Sequence, residues 1–257
     1  ETWNGSAWTE VNDFNTARGE LGGAGESYTA AIAVGGYTNT AATDSVETWD
    51  GSSWTEVAEI NSAKYNMGVS GGSPASLSYG GRTAPAITAQ TESWDGSSWT
   101  EVADLSTGRW GLGKSPYGTS LSALAVGGNT GSAVTSTEEW TAPSDFNPKN
   151  LGQVYFNSTS NAFKVTRTVT GTGAWSSGGN LNQARSQGGN NASGGSASIG
   201  LVSGGNKYSP GASYNNTEIY NGTAWTEVNN LNTTRGYSAG AGTPAGALVI
   251  SGILAGQ

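Results

Sequence analysis

The chain has no cysteine and no histidine. Without thiols there is no disulfide framework, and without thiolate and imidazole together the usual ligands of zinc, copper and iron are missing. The commonest general base is missing too, so neither a Ser-His-Asp nor a Cys-His set can be built. Charge is scarce: Asp, Glu, Lys and Arg make up 12% of the residues, and the net charge is −8. That field repels nucleic acid and anionic membrane, so neither is expected as a partner. No apolar run approaches the ~18 residues of a membrane-spanning helix. The expectation is a protein that needs no metal and no cofactor. Oxygen-only calcium binding stays open, as does a carboxylate-pair hydrolase, although no pair stands out. The chain starts at Glu1 inside a repeat, without a Met or a signal peptide, and reads as processed or as an excerpt.

What is present is glycine and aromatic area. There are 41 Gly, ten Trp and ten Tyr in 257 residues. Ser, Thr and Asn carry solubility, and the aromatics give enough area to bury a core. The stretch Glu47–Val57, Glu-Thr-Trp-Asp-Gly-Ser-Ser-Trp-Thr-Glu-Val, returns nearly letter for letter at Glu1–Val11 and Glu92–Val102, and more loosely at Glu218–Val228. Asn-Gly or Asp-Gly between apolar residues signals a hairpin with a type I′ turn. Each copy therefore predicts strand, turn, strand, with two aromatics flanking the turn.

The period follows from the second Trp of each copy. Trp8, Trp54 and Trp99 lie 46 and 45 residues apart, Trp175 follows after 76 and Trp225 after 50. The long third interval holds about 30 inserted residues, and a period in the forties is that of propeller blades. Ahead of each hairpin the same events recur. A cation follows a short polar turn at Arg18, Lys64, Arg109, Arg185 and Arg235, and a Gly/Ala/Ser-rich strand follows the cation. Then an aliphatic run ends in Gly-Gly at Ala31–Gly36, Leu77–Gly81, Leu124–Gly128 and Leu201–Gly205, and in Ser-Gly at Leu248–Gly252. Four short antiparallel strands per unit are predicted.

These residues resemble the kelch-type β-propeller: the Gly-Gly after an aliphatic run, the aromatic-Asp element, the Trp a few residues later and the Arg before the first strand. The resemblance implies an all-β fold and a single domain over 1–257. Its blades are expected at about 15–58, 61–103, 106–178 with an inserted hairpin at 141–173, 182–229, and 232–257 plus 1–11. The chain begins with strands three and four of a unit and ends with strands one and two. Their pairing is expected to close a five-bladed ring and remove its sheet edges. Kelch rings usually have more blades, and the Ser-Gly and the insertion are further departures.

The expected functions differ in what they ask of single residues. Glu1, Glu47, Glu92, Glu139 and Glu218 put one anion in each unit, so the cations read either as in-blade ion pairs or as a ring facing an axial anion; the ion pair is preferred. Nine Trp sit at repeat positions: Trp3, Trp8, Trp49, Trp54, Trp94, Trp99, Trp140, Trp175 and Trp225. They read as core wedges rather than sugar platforms. Trp110 breaks the pattern beside Arg109 and is a candidate binding residue, with Arg109 as its companion. The insertion carries Tyr155, Phe156, Phe163, Lys164 and Arg167 and is expected to project as the main contact surface. Its wording resembles short hairpins of bacteriophage tail-fibre and minor structural proteins. That resemblance implies a virion or extracellular location, with other virion or assembly proteins and cell-surface glycan as partners. A cellular or secreted module binding protein or glycan is the alternative, and a carbohydrate-active hydrolase the weaker one.

Overall fold

A computed structural model describes the chain apart from residues 114–117, 143–153, 158–161, 166–172, 187–197, 208–212, 244, 251 and 253–257; at 26, 154–157, 162–165 and 241–243 it describes the backbone alone. The described residues form strands and turns without a helix. β1 (Thr2–Trp3) and β2 (Trp8–Thr9) make a two-stranded hairpin. β3 (Gly22–Ser27), β4 (Ala30–Tyr37), β5 (Ala42–Trp49) and β6 (Trp54–Val57) make a four-stranded antiparallel sheet in chain order. β7 (Gly68–Gly72), β8 (Ala75–Tyr79), β9 (Thr91–Trp94) and β10 (Trp99–Glu101) make a second.

In the third unit β11 (Ser122–Val126) and β12 (Thr137–Thr141) are joined by β15 (Ala174–Ser177), with a bridge from Gly113 to Val126 at the innermost position. Between β12 and β15 the insertion forms its own two-stranded sheet, β13 (Val154–Asn157) with β14 (Ala162–Val165). β16 (Gly200–Ser203), β17 (Thr217–Tyr220) and β18 (Trp225–Val228) form the fourth unit; its predicted innermost strand falls outside the described residues. β19 (Ala239–Thr243) and β20 (Gly246–Ile250) pair only with each other. No hydrogen bond joins β1 to β20 among the described residues, so the expected closing pair is not formed in this structure.

The repeated hairpins form as expected, but their turn is of another kind. Trp49 pairs with Trp54, which leaves a four-residue loop, and only Gly51 takes a positive φ, 97°. A type I′ turn would need Asp50 there as well. Instead Asp50 Oδ1 accepts the backbone N–H of Ser52 and Ser53, both at 2.8 Å. Asn4, Asp95 and Asn221 accept the corresponding pairs of N–H groups. The Asx side chain thus replaces the backbone pairing of a tighter turn. The backbone N–H of Ser53 and Ser52 holds the exposed Asp50 carboxyl down at about 2.

The Gly-Gly pairs lock each unit to the next. Gly35 and Gly36 have φ of 56° and 121°, and a Cβ on Gly35 would lie 2.4 Å from the Lys64 carbonyl oxygen. Only glycine tolerates both conditions. Gly36 N–H then donates to Lys64 O at 3.0 Å, and the same bond recurs from Gly81 to Arg109, Gly128 to Arg185 and Gly205 to Arg235. The carbonyls of Lys64, Arg109, Arg185 and Arg235 are therefore held by the preceding blade. Side chains of successive sheets interdigitate in three clusters: Ile32, Val34, Met67 and Val69 with Trp94 and Trp99; Leu77, Tyr79 and Leu112 with Trp140; Leu124 and Val202 with Tyr220 and Trp225. Indole N–H groups reach out of these clusters to polar partners, as from Trp94 to Ser73 O and from Trp225 to Thr137 Oγ1.

Candidate functional site: a rim clamp outside the ion-paired core

The repeat cations are spent inside the blades. Lys64 Nζ meets Glu92 Oε1 at 3.1 Å and Arg109 Nη2 meets Glu138 Oε1 at 2.8 Å; Arg18 pairs with Glu47 and Arg185 with Glu218. Both partners are buried in every pair. The second carboxylate oxygen takes the polar turn ahead of the cation, from Asn15, Asn61, Ser106 or Asn182 N–H. Burial pushes the Glu47 carboxyl up, but the Asn15 N–H and the Arg18 guanidinium outweigh it, and the group lies below its ordinary value. Burial lowers Lys64, Arg109 and Arg185, against the pull of their carboxylates. Buried and paired in this way, these groups are structural.

Two expectations change here. In the third blade the paired anion is Glu138, not Glu139: Glu138 is two residues before Trp140, as Glu47 is before Trp49. Glu139 instead accepts the Tyr220 hydroxyl of the next blade; burial and this bond push that phenol up to about 12. Arg109 is not a binding residue, because its head is buried on Glu138 and on the Ala125 carbonyl. Gly108-x-x-x-x-Gly113-Lys114-Ser115 also matches a phosphate-loop pattern. No helix follows it among the described residues, and Arg109 and Leu112 inside it are buried.

Trp49, Trp94, Trp99, Trp140 and Trp225 are buried, and Trp54 and Trp175 half-buried, as core wedges should be. Trp3 and Trp8 are exposed, because their hairpin lacks an inner strand. Arg235 accepts from Gly205 through its carbonyl, and its N–H donates to Tyr214 O. In the insertion Tyr155 pairs with Lys164 and Phe156 with Phe163 in backbone register; Arg167 lies outside the described residues.

The cation that meets the Trp110 ring is Arg82 rather than Arg109. The residue after each cation pairs with the residue after each Gly-Gly: Gly19 with Tyr37, Tyr65 with Arg82, Trp110 with Asn129, Ser186 with Asn206. These positions sit one step past the invariant words of the repeat and vary freely. In the second blade they place the Arg82 guanidinium 5.7 Å from the Tyr65 ring centre and 5.0 Å from that of Trp110. Tyr37 adds a ring 5.1 Å from Tyr65. Beneath, Glu20, Asn66 and Gly111 take φ of 53°, 55° and 60°, and their backbones bond in series, Asn66 N–H to Glu20 O and Gly111 N–H to Asn66 O. Left-handed non-glycine residues cost about 1 kcal/mol each, which this blade-to-blade bonding offsets. Arg82 is the one cation directly after a Gly-Gly, a signal that sets it apart from the repeat without naming its neighbours.

Among the described residues no three His, Cys, Asp or Glu side chains converge as metal ligands. No described helix is long and apolar enough to cross a membrane. No protein-family model and no curated protein matches the chain. Among solved structures it is similar to YjhT, with a TM-score of 0.69 at 12% identity over 97% of this chain and 82% of that one. With the succession of antiparallel sheets, this likeness establishes a β-propeller and carries nothing about activity.

Proposed function

We propose that this propeller is a non-catalytic structural and binding module of a phage virion or tail, contacting other assembly proteins and cell-surface glycan. The observation that carries the non-catalytic part is the saturation of Glu47, Glu92, Glu138 and Glu218, each held by a cation on one oxygen and an N–H on the other. A hydrolase needs two carboxylates free to act on a substrate. The virion part is supported by the insertion's wording and by the low-charge Gly/Ser/Thr/Asn surface. The β13–β14 hairpin is the contact surface this reading assigns to assembly partners. A cellular or secreted module that binds proteins is the second reading, and the aromatic–arginine rim favours it. Immunogold labelling of particles from the source, with a glycan array and a hydrolysis screen, separates these readings. Labelled particles and bound, uncleaved glycan are expected; glycan cleavage overturns the proposal.

The same proposal takes the ring as kelch-like, five-bladed and closed. Leu248 and Ile250 are 60% and 41% exposed, whereas Ile32 and Val34 at the same repeat positions are 1% and 0%. Closing in the repeat's own register puts Trp3 opposite Ala247 and Thr2 opposite Leu248, as Trp49 and Thr48 stand opposite Ala31 and Ile32. Glu1 then takes the anion position for Arg235, and Gly252 N–H the place facing Arg18 O. The chain has no cysteine, so Thr2→Cys with Leu248→Cys gives a clean test. An intramolecular disulfide is expected on oxidation; intermolecular disulfides only, or none, overturn closure.

A further inference from the structure

Arg82 stands apart from the buried cations. Among the described residues its guanidinium meets no carboxylate and makes no side-chain hydrogen bond, and its Nε is buried without a partner. Both neighbours at its faces are aromatic, Tyr65 and Trp110. These cation–π contacts hold the planar guanidinium fork against two rings and leave its N–H groups to hydrogen-bond elsewhere. That planar fork matches the two oxygens of one carboxylate. Asn129, bridged to Trp110 through the backbone, is 1% exposed and holds a second unpartnered donor, Nδ2. In a chain of net charge −8, a rigid cation without an internal counter-ion reverses the field locally.

We propose that the Tyr65–Arg82–Trp110 clamp binds a carboxylate of an acidic polypeptide segment. The inference rests on the binding-module reading and names the chemistry of its partner. A sugar needs acceptors for its hydroxyls as well as donors, and several polar groups around the clamp are already engaged. The Tyr37 hydroxyl donates to Thr40 O, Thr38 Oγ1 to Ala41 O, and Asn66 Nδ2 to Glu20 Oε2; Asn129 Oδ1 accepts Gly131 N–H. What remains is aromatic face, guanidinium edge and the Asn129 Nδ2 donor, and aromatic and arginine groups are the usual anchors of a protein–protein contact.

The test uses the intact protein and three probes: labelled oligoglutamate, oligoglutamine, and an oligouronate of equal length and charge. Oligoglutamate is expected to bind in a salt-sensitive way, with the other two weaker by about tenfold or more, the scale of a single buried anchor. Arg82→Gln is expected to lose binding by a similar factor with an unchanged melting curve. Arg82→Lys keeps the charge but not the fork, and is expected to stay weak; it serves as the second variant if the Gln form melts early. Binding by Arg82→Gln and Arg82→Lys as tight as the parent's, tighter binding of the oligouronate, or no binding of oligoglutamate overturns the clamp. Cleavage of the oligouronate would instead overturn the non-catalytic reading, while loss of oligoglutamate binding in the Arg82 variants would still support the clamp.

Discussion

The hairpins of Glu1–Val11 and Glu47–Val57 share one sequence pattern and one local geometry. Trp3 and Trp8 lie 5.5 Å apart at 44°, and Trp49 and Trp54 5.4 Å apart at 43°. Asn4 and Asp50 cap their turns through the same two N–H groups. Their surroundings differ. Trp49 is 5% exposed, with its indole N–H on Tyr28 O and β4 beside its strand; Trp3 is 46% and Trp8 60% exposed. A groove of about 710 Å³ separates the N-terminal hairpin from the first four-stranded sheet, lined by Trp3, Trp8, Phe14, Trp49 and Trp54. The comparison teaches that the hairpin is a local product of its own residues. Burial comes from the inner strand and from the next blade.

The largest expected effect sets Trp94→Ala against Trp3→Ala. Trp94 is buried, and its loss should cost about 3–5 kcal/mol in denaturant unfolding. In the proposed closed ring, Trp3 takes the place of Trp49, so Trp3→Ala should cost a comparable amount. A loss below about 1 kcal/mol at Trp3 would keep the contrast between the two hairpins and overturn closure.

Next comes the ion pair. Glu92→Ala leaves Lys64 buried without its carboxylate and should cost about 3 kcal/mol. Glu1→Ala, at the anion position for Arg235 in the proposed closed ring, should also destabilise; no change there would count against closure. Replacing Lys64 and Glu92 together by Met and Leu should recover most of the loss, since a buried pair offers little over apolar packing. If Glu92→Ala alone melted like the parent, the pair would be wrongly placed.

The smallest effect is the acid limb. The folded Glu47 carboxyl lies below its ordinary value of 4.5, so the folded state binds fewer protons than the unfolded one as pH falls past that value. Its contribution is complete above about 4.5 and is lost as pH falls through the folded value. Glu47→Gln should flatten that part of the stability–pH curve. Asp50 follows lower, between 3.8 and about 2. A Glu47→Gln curve parallel to the parent's below 4.5 would show that Glu47 is unperturbed.

Much of the fold was legible because its determinants are short-range. An Asx residue followed by Gly makes a turn by itself, and Gly-Gly marks a backbone with two left-handed steps in any setting. Alternation within each short strand, and a fixed interval between the words, then predict stacked antiparallel sheets. The in-blade ion pairs also follow from one cation and one anion per unit, but the pattern does not separate Glu138 from Glu139: two adjacent glutamates differ only in which sheet face they meet. Trp110 was legible as the Trp outside the repeat. Its companion was not. Arg82 is 17 residues beyond Tyr65 and 28 before Trp110, and the three meet only because consecutive blades bring their rims together. The same holds for Trp3 and Leu248, whose exposure departs from that of their repeat equivalents although their local sequence does not. Turn chemistry and strand periodicity act within a few residues and can be read along the chain. Burial, and the choice between an ion pair and a free guanidinium, depend on groups tens of residues away, so only the packed blades decide them.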